Sequence, residues 1–538
     1  MAARTHQAPL LAIALLAATL HGVGIVRSSL PAQDGLKFIR TARAFQNQPW
    51  IDVVRGSDQH PLFPALVALT EPVVAMAAGR GPDTWRVAAQ LVAAAGAIGL
   101  LWPLHGWTRA LFGPREADVA ALGLVLLPLA MQIGHDTLSD SLALAAFLVT
   151  LRLGLTAFRS PSLAPAMGCG LAAGLGFLTR PEILVAPLAV VLAGAIRHRR
   201  AEHALFQRIP RLAGVAVTFL ALVGSYALVK GEVSEKLALR SAAALGQSRA
   251  RPRDSRPRGH GLPRGLDNPA WDFSPKEEAA SPPVRPLRTI AADLAFQWAE
   301  GLGWILALFT VWGLVRDGVI RRRNAGELER ADHDNLGRAI TLGYVVLFAT
   351  VLMRHERTMG YLSHRHVLTL VLLSLPWAAA AVVLCARRAS ALLRLTHRQA
   401  SVAGGMILAA ALAVSLSIQA RPPHPSRWGF RAAGEWLAAN ASPGDAVLDT
   451  RGWAAFVSGL PGYDYWHVRQ ALTDRRLAFV VVSEDELTAS SRRAATLRSM
   501  LAYAGEPAAV FPEHRGGREP GVRVFRFRQP ESWEGLQP

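Results

Sequence analysis

Blocks of apolar side chains long enough to cross a bilayer recur along this chain, and they constrain its fold more than any single motif. A crossing helix needs about 20 mostly apolar residues. About eleven blocks meet that need with varying comfort, from Pro9–Val26 to Val402–Ile418. Hydrophobic residues make up 51% of the 538 and charged residues only 18%, a balance unlike that of an ordinary soluble domain. The expected fold is a polytopic α-helical membrane protein with about 11 transmembrane helices over residues 1–420 and a small soluble α/β domain over 421–538.

A net charge of +19 would suit a nucleic-acid binder, but the basic residues cluster in the short loops between apolar blocks, as at Arg316–Arg323 and Arg387–Arg398. Positive-inside bias accounts for that pattern more simply. The two cysteines, Cys169 and Cys385, lie in apolar segments without metal or disulfide spacing, so neither redox nor thiolate chemistry is signalled. No small-residue cleavage pattern precedes Arg27, and the first block reads as a retained helix.

With the basic clusters and the amino terminus inside, the outer face receives the first loop (27–86, with interfacial helices), the turn around His135–Asp140, Arg180–Glu182, an Arg/Pro-rich loop over 231–293, the stretch 354–366 and the C-terminal domain. Pro61–Gly79 is apolar, but Glu71-Pro72 would set a charge and a missing hydrogen bond at mid-membrane, so it reads as interfacial or re-entrant. The helix centres are otherwise nearly free of ionisable groups, unlike those of ion-coupled transporters. Beyond residue 420, "FRAAGEWLAANASPGDAVLD" reads as helix, turn and strand, and "LAFVVVSE" and "GVRVFRFR" as further strands. No phosphate loop, serine elbow or spaced histidine pair accompanies them, which points to recognition or packing.

The polar clusters on the outer face are the candidate site. In "QDGLKFIRTARAF" a helix would group Phe38, Ile39, Ala42 and Phe45 on one face and Lys37, Arg40 and Arg43 on the other, an interfacial pattern whose basic face suits a lipid-linked phosphate. Asp34 at its start is either a helix cap or a functional carboxylate. His60 enters the candidate set through its convergence with Asp34. In "HDTLSDSLAL", Asp136 or Ser139 would cap the next helix, whereas Asp140 lies a turn further in, where a site role gains weight. Arg180 and Glu182 flank a helix break, and in "LSHRHVLTL" the Arg365 guanidinium, between His364 and His366, can fork onto a phosphate.

The order of these segments, with "QHPLFPALVAL", "LFGPREADVAAL" and "GLGFLTRPEILVAPL" between them, resembles the GT-C glycosyltransferases over roughly the first 385 residues, nearest the protein O-mannosyltransferases and the lipid A aminoarabinose transferase. The resemblance implies an enzyme that uses a polyprenyl-phosphate sugar at the outer face. It makes Asp34 the first-loop catalytic acid, Asp140 the second acid, and Arg365 the arginine near the donor phosphate; Lys37, Arg40, Arg180, His364 and His366 join Arg365 as candidate donor-phosphate contacts. Three positions depart from the pattern: Phe38 stands where tyrosine is usual, His366 replaces an aromatic residue, and no arginine neighbours Asp140 in sequence.

The implied reaction is transfer of a sugar to an envelope lipid, glycan or protein, with inversion. The expected location is the bacterial inner membrane, with the site on the periplasmic side. No cofactor is required; a divalent metal shared by Asp34 and Asp140 is compatible with hard carboxylate oxygens. A flippase of lipid-linked glycans and a non-catalytic envelope assembly factor are the alternative classes.

Overall fold

The computed structural model describes residues 8–198, 205–231, 233, 285–323, 332–419, 424–517 and 520–528. Most of the Arg/Pro-rich loop expected over 231–293 lies outside these residues.

Among the described residues, seven helices are long and apolar enough to cross a membrane, and nine if two bent pairs are each one span. Seven of the expected spans are thus single helices, such as Ala8–Arg27, Pro82–Leu111 and His364–Leu392. The other four differ from expectation for local reasons. Ala164–Phe177 and Pro181–Ile196 are shorter apolar helices. Pro114–Leu126 and Pro128–His135 meet at 66°, where Pro128 cannot donate to the preceding turn. Leu287–Leu302 and Trp304–Val319 meet at 110°, around Gly303, whose φ of 75° is open to glycine and costly for other residues.

The segment read as interfacial or re-entrant forms one continuous helix, Leu62–Ala78, with Pro72 inside it, and it is shorter than the spanning helices. Proline has no N–H for the carbonyl four residues back. Gln46 Nε2 supplies that donor, bonding Ala68 O at 2.9 Å and Glu71 Oε2 at 3.1 Å. The repair also ties this helix to the amphipathic helix Gln33–Asn47, and Phe38, Ile39 and Ala42 pack with Phe63 and Val67 in a shared core.

The C-terminal region holds a five-stranded sheet: β1 (Ala446–Asp449), β2 (Gly462–Tyr463), β3 (Leu477–Ser483), β4 (Ala509–Pro512) and β5 (Pro520–Arg526). The order is β2-β1-β3-β5-β4. The β2-β1-β3 half is parallel, while β5 pairs antiparallel with both β3 and β4.

The sheet region is locked to the helices through the start of the first loop. Leu30, 1% exposed, lies in the same apolar core as Phe430, Val447 and Phe479. Arg427 Nη1 donates to Leu30 O at 3.1 Å, Arg431 Nη1 to Ser29 O at 2.8 Å, and Trp453 Nε1 to Pro31 O at 2.9 Å. The chain entering the Asp34 helix is therefore held from both sides.

Candidate active site

Asp34 does not cap its helix: the N-cap is Ala32 and no side chain fills that role. Its Oδ2 instead accepts from Arg365 Nη1 at 3.0 Å. The other terminal nitrogen of the same guanidinium, Nη2, donates to Asp140 Oδ2 at 2.9 Å. Arg180 Nη2 reaches that same oxygen at 2.9 Å, and its Nε donates to Ser139 Oγ at 3.3 Å. The arginine that Asp140 lacks in its own segment is supplied twice by distant ones.

Local packing fixes this arrangement. Gly35 abuts Thr137, whose side chain and carbonyl occupy the space a Cβ would need. The start of the Asp34 helix therefore sits directly on the turn that leads to Asp140. Arg365 lies within a short 3-10 turn, His364–Val367, capped reciprocally by Ser363 and His366, so His366 orients the turn that carries the guanidinium.

The two carboxylates differ in exposure: the Asp34 side chain is 56% exposed and that of Asp140 is 3% exposed. Burial pushes the Asp34 carboxyl up, but Arg365, with Lys37 and Arg180, outweighs it and leaves the group below the ordinary carboxylate range. Arg365 Nε is buried without a hydrogen-bond partner among the described residues, a spare donor that an incoming oxyanion could fill.

Two cavities meet at this ion cluster. The smaller, about 60 Å³, is lined by Asp140, Arg180, Glu182, His355, Arg365 and His366. The larger, about 560 Å³, is lined by Asp34, Lys37 and Arg40 on one wall and by residues of the sheet region on the other. The predicted phosphate contacts are thus divided: Arg180, Arg365 and His366 with Glu182 in the first cavity, Lys37 and Arg40 in the second. His364 lies beside Glu300 at 3.7 Å.

Two candidates serve elsewhere. His60 stacks on Tyr226 and meets Phe177 edge-on, within a separate aromatic cluster. Asp136 is an anchor for the sheet region: it accepts from Ala32 N at 2.9 Å and Arg427 Nη2 at 3.1 Å, with His424 Nε2 at 3.2 Å. Burial pushes its carboxyl up, but the bonds from His424 and Arg427 hold it well below the ordinary range. Ser139, at the N-cap position of the next helix, makes no capping bond.

The donor set between Asp34 and Asp140 does not suit a divalent ion. One oxygen of Asp140 already accepts from two guanidiniums, so a metal there would sit among like charges. Among the described residues no group of three or more His, Cys, Asp or Glu could hold one.

Residues 61–227 match the family model described as dolichyl-phosphate-mannose-protein mannosyltransferase. That stretch includes Asp140 and Arg180; Asp34 and Arg365 lie outside it. No curated protein sequence matches the chain. Among solved structures, ArnT from Cupriavidus metallidurans bound to undecaprenyl phosphate is similar with a TM-score of 0.53 at 13% identity, covering 99% of this chain and 100% of that one. The oligosaccharyltransferase AglB from Archaeoglobus fulgidus, in complex with an inhibitory peptide and a dolichol-phosphate, is similar at TM-score 0.53 and 15% identity, over 89% of this chain and 69% of that one. The A. fulgidus oligosaccharyltransferase in complex with Zn and sulfate gives 0.55 and 14% over 89% and 68%. The partial family match and the fold together bear out the expected likeness to membrane GT-C glycosyltransferases.

Proposed function

We propose that the protein transfers a sugar from a polyprenyl-phosphate donor to an envelope acceptor, with inversion, through Asp34, Asp140, Arg180 and Arg365. The observation that carries this reading is one guanidinium shared between a half-exposed and a buried carboxylate, with its Nε–H left over. A glycosyl phosphate already holds a good leaving group. The enzyme's work is then to stabilise the departing phosphate and to deprotonate the acceptor as it attacks.

Arg365 and Arg180 supply the cations. Asp140, buried between them, is a positioning residue that holds both guanidiniums in place. Asp34 faces the larger cavity and takes the acceptor proton. Its lowered pKa makes it a weak base, adequate where the bond to phosphate is largely broken before the proton moves. A single displacement inverts the anomeric carbon.

On this reading the site and the sheet region lie on the outer, periplasmic side of a bacterial inner membrane, opposite the basic loops. Proteoliposomes given a radiolabelled polyprenyl-phosphate sugar and a crude envelope acceptor fraction test it. The expected product carries label in a new glycosidic bond of inverted configuration. Label crossing the bilayer while still on its lipid would show a flippase instead.

A further inference from the structure

A further cavity, about 700 Å³, lies among the membrane-spanning helices and takes no part in the proposed reaction. It forms because Leu287–Leu302 and Trp304–Val319 diverge at 110°, and because the walls facing the gap carry small residues, among them Ala291, Ala295, Gly318, Ala339 and Ala349. Gly313 abuts the Trp377 carbonyl, so helix contact closes the back of the groove; at Gly318 a side chain would meet nothing. Leu314 and Leu342 line the groove and are 48% and 66% exposed. The groove therefore opens sideways, onto the surface that these spans turn to the hydrocarbon.

Its neutral polar groups are spent locally. Trp298 Nε1 donates to Ser374 Oγ at 2.9 Å, and the Thr310 and Thr341 hydroxyls donate to carbonyls of their own helices, Leu306 and Gly337. One end differs: there Arg338 and Asp317 pair at 3.0 Å, 17% and 18% exposed, with the guanidinium 5.5 Å from the centre of the Phe112 ring. Along the span Asn335–Thr358, Arg338 stands about 25 Å from His355 of the ion-cluster cavity, at about 1.5 Å per residue. The charged end thus lies near the membrane face opposite the site. Arg338, Leu342, Val345 and Ala349 also stand about 100° around the helix from Phe348, Val351, Leu352 and His355, so the two cavities use different faces.

We propose that this groove binds a phospholipid of the leaflet opposite the site, one whose headgroup carries both a phosphate and a primary ammonium. Arg338 meets the phosphate, Asp317 meets the ammonium, and one acyl chain follows the groove. Ionisable residues within spans are costly and mark binding sites by default. Here the two signs stand side by side with no net charge, which complements a zwitterion. A purely anionic headgroup would be repelled by Asp317, and a quaternary ammonium brings it no N–H. The length agrees: from Arg338 to Ala349 the groove follows its helix for about 16 Å, close to the ~15 Å depth of one leaflet's hydrocarbon. A pair that only neutralised itself would need neither the groove nor its lateral mouth.

The test is native mass spectrometry of the full-length protein with phosphatidylethanolamine, phosphatidylcholine and phosphatidylglycerol of matched acyl chains. Phosphatidylethanolamine is expected to bind about tenfold more tightly than either of the others, the worth of one charge-assisted contact. Asp317→Asn is expected to level the three affinities. Ala339→Phe fills the groove from an exposed position and leaves the ion pair in place; it is expected to lose the bound lipid, and with it the rise in unfolding midpoint that phosphatidylethanolamine gives the original protein. Equal affinity for the three lipids, a preference for phosphatidylglycerol, undiminished lipid binding by Ala339→Phe, or displacement of the lipid by polyprenyl phosphate would overturn the proposal. None of these outcomes depends on sugar transfer, so the two readings fail separately.

Discussion

Asp34 and Asp140 bond the same guanidinium at nearly the same distance, 3.0 and 2.9 Å, yet one is 56% exposed and the other 3% exposed. Asp34 stands on an amphipathic helix whose position is set by the sheet region and by Gly35 against Thr137. Asp140 starts a buried helix and is closed over by two arginines. One ion cluster thus holds two kinds of carboxylate: one open to a substrate, one spent on holding cations.

The strongest way to break that division is to remove the shared group. Arg365→Ala should lower transfer by about 1,000-fold, the scale seen when a preorganised charge at the transition state is lost. Arg365→Lys keeps the charge but not the two-sided fork, so it should recover only a minor part of that loss in steady-state assays.

Asp140→Asn should cost about 100-fold in transfer, because misplaced groups lose catalysis steeply, and it should also unsettle the fold. Breaking a buried pair costs about 3–5 kcal/mol, read as a lower midpoint of thermal unfolding in detergent. An Asp140→Asn protein as stable as the original would erase the proposed contrast with Asp34.

Asp136→Asn should leave the Asp34–Arg365 contact formed but loosen the sheet region. The expected cost is about 1–3 kcal/mol for a buried polar network missing its charge, seen as faster hydrogen exchange over residues 424–458. The smallest effect concerns pH. Asp34 ionises below the ordinary carboxylate range, so its ion pairing stabilises the fold above the unfolded-state value and is lost as pH falls through the folded one. The acid limb of turnover should therefore lie below about pH 4. Lys37→Gln, which removes one of the charges holding the carboxyl down, should move that limb upward.

The helical body and the ion cluster were largely legible in the sequence. Apolar blocks report spans directly, and Asp140, Arg180 and Arg365 each stand at the end of such a block; Asp34, further into the first loop, is singled out by the outer face it shares with Asp140 and Arg365 and by the resemblance. What could not be read was pairing across the chain, such as Arg365 with Asp34 at a separation of 331 residues. The kinks at Pro128 and Gly303 were missed because composition averages over a span, while a bend depends on one missing donor or one positive φ. In the sheet, β1, β3 and β5 carry strong apolar or alternating patterns and were anticipated. The short β2 and β4 carry neither. The sheet-region residues of the larger cavity, which follow β1, β2 and β3, are ordinary loop residues until the parallel topology gathers them, and no local signal marks them as a group.

The most direct test of the division of labour is single-turnover transfer by Asp34→Asn in proteoliposomes preloaded with a radiolabelled polyprenyl-phosphate sugar. Preloading separates donor binding from chemistry. Asp34→Asn should retain the donor at the wild-type level and keep thermal stability near that of the original, with transfer slowed by at least about 100-fold, the range for loss of a general base. Transfer at the wild-type rate would contradict the assignment of Asp34 as the base.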